Sequence, residues 1–109
     1  MNWLPLTDDK QLDELVTASY QKPVAIYKHS TRCSVSVMVK RSLEQQWLPS
    51  ADIPVYYLDL LAYRPVSNRI ADVFGVEHQS PQLILVKNGK AVYDASHSEV
   101  DFEEMVAHI

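Results

Sequence analysis

The chain carries one cysteine, Cys33, inside the polar and basic stretch Lys28-His29-Ser30-Thr31-Arg32-Cys33-Ser34-Val35-Ser36. A thiolate is the nucleophilic form of cysteine, and neighbouring positive charge or N–H donors raise its population. Cys33 falls between a short apolar run and a helical pattern, at a strand-to-helix junction where free helical N–H groups and the helix dipole favour an anion. That position makes it a candidate nucleophile.

No Asp or Glu occurs between Glu14 and Glu44, whereas Lys22, Lys28, Arg32, Lys40 and Arg41 all fall in that window. A positive patch around the thiol is therefore expected on an otherwise acidic chain. A helix dipole contributes about 0.3–1 kcal/mol at an exposed end. That is less than the ~1.4 kcal/mol of a tenfold change in ionisation. A reactive thiol would also need Arg32 or Lys28 close by, or N–H and hydroxyl donors from Ser34 and Ser36. The plainer alternative is an inert, buried cysteine; the polar neighbours Thr31, Arg32, Ser34 and Ser36 argue against it.

Four histidines, His29, His78, His97 and His108, show no metal-site spacing, and one cysteine cannot supply a thiolate cluster, so no metal is expected. His29 and His78 are placed to approach Cys33, although a solvated loop histidine is the commoner case. Pro81 opens an apolar run, which strand geometry alone explains.

These residues need a scaffold. Thr7-Asp8-Asp9 reads as a helix start capped by a side-chain oxygen, followed by the stripe Leu12, Leu15, Val16. Val24–Tyr27 is a buried strand. Val35, Met38, Val39, Leu43 and Trp47 then recur at helical spacing up to Pro49, and Val55–Leu60 is a second strand. Pro65 opens a third helix with face Val66, Ile70, Val73 and Phe74, closed by Gly75. Asn88-Gly89 joins the runs Leu83–Val86 and Ala91–Tyr93 as a hairpin. Ser96 or Ser98 would cap a last helix carrying Val100, Met105, Val106 and Ile109.

The order α-β-α-β-α-β-β-α implies an α/β fold with a thioredoxin-like arrangement, a four-stranded mixed sheet with helices on both faces. A generic α/β sandwich with other connections is the alternative. The 109 residues fit one domain, 1–109, and 47% hydrophobic content excludes global disorder. The net charge of -4 argues against nucleic acid as the main partner. No apolar run approaches the ~18 residues of a membrane span, and Met1-Asn2-Trp3-Leu4-Pro5 has no signal-peptide character. A lone cysteine makes no internal disulfide and favours a reducing compartment, so the cytoplasm is expected.

The Lys28–Ser36 segment resembles the active-site region of the monothiol bacilliredoxins, redox proteins of the bacillithiol system and of oxidative stress. The resemblance extends through Asn2-Trp3, Leu6-Thr7, His78-Gln79-Ser80-Pro81-Gln82, Lys87-Asn88-Gly89-Lys90 and Ala95-Ser96-His97. It implies a thioredoxin-like fold with Cys33 in the first position of a former Cys-x-x-Cys motif and Ser36 in the place of the resolving cysteine. It further implies a thiol–disulfide oxidoreductase that removes bacillithiol from mixed disulfides on client proteins. Bacillithiol, a cysteine–glucosamine–malate thiol, would be a co-substrate, with no bound cofactor. Thr31, Arg32, Ser34, Ser36, Lys28, Ser80 and Pro81 would bind substrate, with the malate carboxylates meeting Lys28, Arg32 or nearby N–H groups. Ser80-Pro81 falls where thioredoxin-like proteins place a cis-proline facing the active cysteine. Two other roles fit the same fold. One is a monothiol-glutaredoxin-like Fe–S carrier, whose motif has Gly and Phe where this chain has Ser34 and Val35. The other is an adaptor or stress protein that binds partners without turnover.

Overall fold

The computed structural model describes residues 2–48 and 51–109. Strands β1 (Trp3–Pro5), β2 (Val24–His29), β3 (Val55–Asp59), β4 (Gln82–Lys87) and β5 (Lys90–Ser96) form one mixed sheet in the order β1-β3-β2-β4-β5. β1 and β2 run parallel to β3, while β4 is antiparallel to both β2 and β5. The expected four strands are thus present, and the short edge strand β1 makes a fifth. Three residues ending in Pro5 carry almost no strand signal, and an edge is where a strand tolerates proline.

Helices α1 (Asp9–Ala18) and α3 (Arg64–Phe74) contact each other, and α2 (Ser34–Gln46) contacts α4 (Phe102–Val106). The strands alternate between two cores accordingly. Val24, Ile26, Leu58, Ile84 and Val86 meet Leu12, Leu15, Val66 and Ile70 of α1 and α3. Ala25, Tyr27, Val55, Leu83 and Leu85 meet Leu43, Phe102 and Met105 of α2 and α4.

Local chemistry explains the element ends. The cap of α1 is Asp8 rather than Thr7: the Asp8 carboxylate accepts the Gln11 N–H at 2.8 Å. The Gln11 side chain in turn accepts the Thr7 N–H at 2.7 Å, a reciprocal pair. Pro65 lies in the first turn of α3, and Gly75 closes it in the left-handed conformation at φ 63°. Asn88 and Gly89 both take positive φ, the requirement of a tight hairpin turn.

Three apolar faces read from the sequence are corrected. On α2, Val35 and Met38 are exposed, and the inward positions are Ser36, Val39, Leu43 and Trp47. On α3, Val73 is exposed. The final helix is capped by Asp101, not by Ser96 or Ser98, and it buries Phe102 and Met105 while Val106 and Ile109 face solvent. Ser96 ends β5, and Ser98 lies in a 3-10 turn, His97–Glu99, that packs against α2. Pro49, expected to stop α2, lies outside the described residues; the helix ends before Trp47.

Candidate functional site at the carboxyl edge of the sheet

Three segments meet at one edge of the sheet. β2 ends there at His29. Its antiparallel neighbour β4 begins there, with Lys28 paired to Gln82. β5 ends there, with Gln82 paired to Ser96. The chain leaves β2 through Ser30, Thr31 and Arg32 and enters α2 with Cys33 as its N-cap. The turn is closed by the Cys33 N–H on the Ser30 carbonyl at 3.1 Å, and the helical ladder starts with the Val37 N–H on the Cys33 carbonyl at 3.1 Å. The N–H groups of Ser34, Val35 and Ser36 therefore precede the ladder, at the end of the helix where an N-cap acceptor normally satisfies them. Cys33 has the extended backbone of an N-cap, φ −103° and ψ 115°, and makes no side-chain cap bond as a thiol. A thiolate at an N-cap would be an acceptor for those N–H groups. The sulfur-bearing residue is partly exposed, between exposed Arg32 and Ser34.

Ser36 lies on the inward side of the same helical turn and has no solvent exposure. Its Oγ accepts the Ser30 N–H at 3.1 Å and shares a 2.6 Å hydrogen bond with His29 Nδ1. Its carbonyl accepts the Tyr27 hydroxyl at 2.8 Å. Burial and nearby Lys40 hold His29 below the ordinary imidazole range, against a smaller opposite pull from Asp59. Burial pushes the Tyr27 phenol up to about 12. Ser36, His29 and Tyr27 therefore fix the loop that carries Cys33. This corrects the expectation that the Ser36 hydroxyl meets the substrate or donates to the sulfur, because the side chain has no solvent exposure and bonds inward to Ser30 and His29.

The positive patch is also corrected. Lys28 has no solvent exposure, because residue alternation in β2 turns it to the α3 side of the sheet, away from α2. There its Nζ donates to the Ser67 carbonyl at 3.2 Å and lies 3.3 Å from His78 Nδ1. Lys22 is at the far end of β2, paired with Asp52 at 3.3 Å. Lys40 pairs with Glu44 at 3.1 Å and lies over the Trp3 ring. Arg32, next to Cys33 in sequence, is exposed, and among the described residues no carboxylate pairs with it; Arg41, further along α2, is exposed as well.

Ser80-Pro81 is a cis peptide at the start of β4. The Pro81 carbonyl accepts the His97 N–H at 2.8 Å, which ties the proline loop to the turn after β5. The Ser80 hydroxyl is buried without a partner. Thr31, Arg32, Cys33 and Ser34 thus lie at the sheet edge shared with Ser80 and Pro81, whereas Lys28 and the side chain of Ser36 are interior. Of the two histidines expected near the thiol, His29 lies beneath the α2 turn and His78 behind the sheet. His97 was passed over as a histidine without metal spacing. It is exposed on the α2 side, at φ 56°, a left-handed conformation unusual for a residue other than glycine. No local sequence signal marks that conformation.

A surface hollow lined by Lys22, Asp52 and Pro54 lies at the opposite end of β2 and β3 and has no thiol in its lining. Among the described residues no group of three His, Cys, Asp or Glu side chains could hold a metal ion. No helix among them is long and apolar enough to cross a membrane.

Solved structures share this architecture. One described as having a thioredoxin fold is 25% identical, with a TM-score of 0.84, over 97% of this chain and 92% of that one. Mitochondrial thioredoxin 3 of Saccharomyces cerevisiae is 14% identical with a TM-score of 0.78, covering 97% and 94%. Schistosoma mansoni thioredoxin is 19% identical with a TM-score of 0.72, covering 98% and 97%. The fold is that of thioredoxin, and the family supports a thiol redox role. The family model for the monothiol bacilliredoxin BrxC matches residues 4–105, and the chain belongs to that family.

Proposed function

We propose that the protein removes bacillithiol from mixed disulfides on client proteins through Cys33. The Cys33 thiolate attacks the bacillithiol sulfur of the client disulfide. The client leaves as its own thiolate, and Cys33 carries bacillithiol as a new mixed disulfide. The thiolate of a second bacillithiol attacks the bound bacillithiol sulfur, so that Cys33 leaves as thiolate and oxidised bacillithiol is released. Each exchange forms one S–S bond and breaks one, and the oxidising equivalents end in the bacillithiol disulfide.

The observation that carries this reading is the residue pair at the two ends of one helical turn, in a chain of the monothiol family. Cys33 is the sole thiol, and the position three residues later is a buried serine whose hydroxyl bonds to Ser30 and His29. Without a resolving thiol, the bound partner leaves only when a second thiol arrives from solution. Arg32, Thr31 and the N–H groups at the start of α2 are offered as the contacts of the malate carboxylates. Ser80 and Pro81 are offered as the edge that an extended client segment meets.

The test is a client protein carrying bacillithiol, mixed with this protein and reduced bacillithiol, with release of the free client thiol followed in time. The expected result is catalytic release that depends on bacillithiol and is absent with Cys33→Ser. Release at the same rate with Cys33→Ser rejects the proposal, as does release driven equally by any small thiol.

A further inference from the structure

Lys28 is a fully buried ammonium with no carboxylate partner among the described residues. A charge in that position persists only where hydrogen bonds compensate it. Two do: the Ser67 carbonyl in α3 at 3.2 Å and His78 Nδ1 at 3.3 Å. Ser67 Oγ adds a contact to the same ring nitrogen at 3.4 Å. His78 belongs to the segment between α3 and β4, two residues before Ser80. That segment has a second tether, because Gln82 Nε2 donates to the Glu77 carbonyl at 3.0 Å. Gln82 pairs with Lys28 across β2 and β4 and so shares its face, and its buried Oε1 has no donor.

We propose that Lys28 and His78 are positioning residues for the thiol exchange: the ammonium, anchored on α3, holds the loop ending in Ser80-Pro81 at the sheet edge that carries Cys33. The proposal rests on the functional reading above only in that a client segment meets that loop. An ammonium has donors only, so the Lys28–His78 bond requires an unprotonated Nδ1. The charged side chains acting on His78 are Lys28 from β2 and Arg64 from α3, both cationic, and burial favours the neutral ring as well. Protonation would turn an N–H toward the ammonium and break the strut. The freed ammonium would then have the Gln82 Oε1 on its own face as an alternative acceptor.

The test compares His78→Leu, which removes the acceptor, with His78→Gln, whose amide oxygen can still accept from Lys28. The readouts are KM for a bacillithiolated client, the rate of Cys33 alkylation by iodoacetamide, and hydrogen exchange of residues 79–83. The expected result is a KM raised about tenfold by His78→Leu, the scale of a lost charged hydrogen bond. Alkylation should stay within about twofold, and His78→Gln should return KM to near the wild-type value. The wild-type KM should climb as the pH falls below the ordinary imidazole range, where the lowered His78 takes its proton, and that of His78→Gln should not. Lys28→Met, with His78 intact, should reproduce the higher KM and the flat pH profile, so the proposal stays testable if His78→Leu does not fold. Equal KM values for His78→Leu and His78→Gln overturn it, as does a wild-type KM in Lys28→Met. If the wild-type protein turns over no bacillithiolated client, the functional reading fails and hydrogen exchange decides the strut. Faster exchange through residues 79–83 in His78→Leu but not in His78→Gln supports it, and equal exchange in the two rejects it.

Discussion

The two faces of the sheet handle polar groups in opposite ways at the same edge. On the α2 side the candidate nucleophile, Cys33, is partly exposed and makes no side-chain cap bond. The groups beneath it, His29, Ser36 and Tyr27, are neutral and hydrogen-bonded to one another or to the loop. On the α3 side a full positive charge is sealed inside, compensated by a carbonyl and an imidazole nitrogen. The side that carries the candidate nucleophile thus keeps buried charge low, while the side that supports it accepts an expensive charge to tie β2, α3 and the proline loop together. In the function proposed above, reactivity at the thiol would draw on the helix N–H groups and Arg32 rather than on a buried ion pair.

The largest expected effect is on the α2 side. Cys33→Ser should lower client release by at least about three orders of magnitude, as loss of a nucleophile does, with the melting temperature nearly unchanged. A stability loss instead would make Cys33 a packing residue. Next is Ser36→Ala, which leaves the Ser30 N–H and His29 Nδ1 without their partner. It should cost about 2–3 kcal/mol in denaturant unfolding, against less than about 0.5 kcal/mol for Ser34→Ala on the solvent side of the same turn. Equal costs would remove the buried network from the account.

The α3 side is read best by pH. Burial lowers Lys28 from 10.5 to about 8, so between those values the unfolded chain binds more protons than the folded one, and stability should rise with pH. The buried Tyr27, raised from 10.0 to about 12, pulls the other way above pH 10, so the clean window is pH 8 to 10. A gain of about 1–2 kcal/mol is expected there, and Lys28→Met should abolish the slope. The smallest effect is that of Arg32→Gln. As an exposed charge near a helix terminus it should slow Cys33 alkylation by no more than about fivefold, and 1 M salt should erase most of the difference.

The sequence was most legible where local chemistry decides. Asn88-Gly89, Pro65 and Gly75 each mark a turn or helix end that the structure contains, and the position of Cys33 at a strand-to-helix junction follows from a change of hydrophobic period. The misread residues are those whose side is set by tertiary packing. Lys28 looked like part of a surface patch because it neighbours Arg32 in sequence. Yet β2 is buried on both faces, so the strict alternation Tyr27, Lys28, His29 sends the ammonium to the opposite side from the thiol. Val35 and Met38 fit a helical stripe, but the start of α2 stands above the sheet edge, and there Ser36 faces inward. β1 was missed because three residues with a proline gain their order from pairing with β3, which no local propensity reports.

The most direct test of the central claim is the intact mass of the protein quenched with acid soon after mixing with a bacillithiolated client. The account predicts one bacillithiol added per chain, mapped to Cys33 and discharged by further reduced bacillithiol. A client reduced with no such adduct on the way, or an adduct that survives Cys33→Ser, would contradict it.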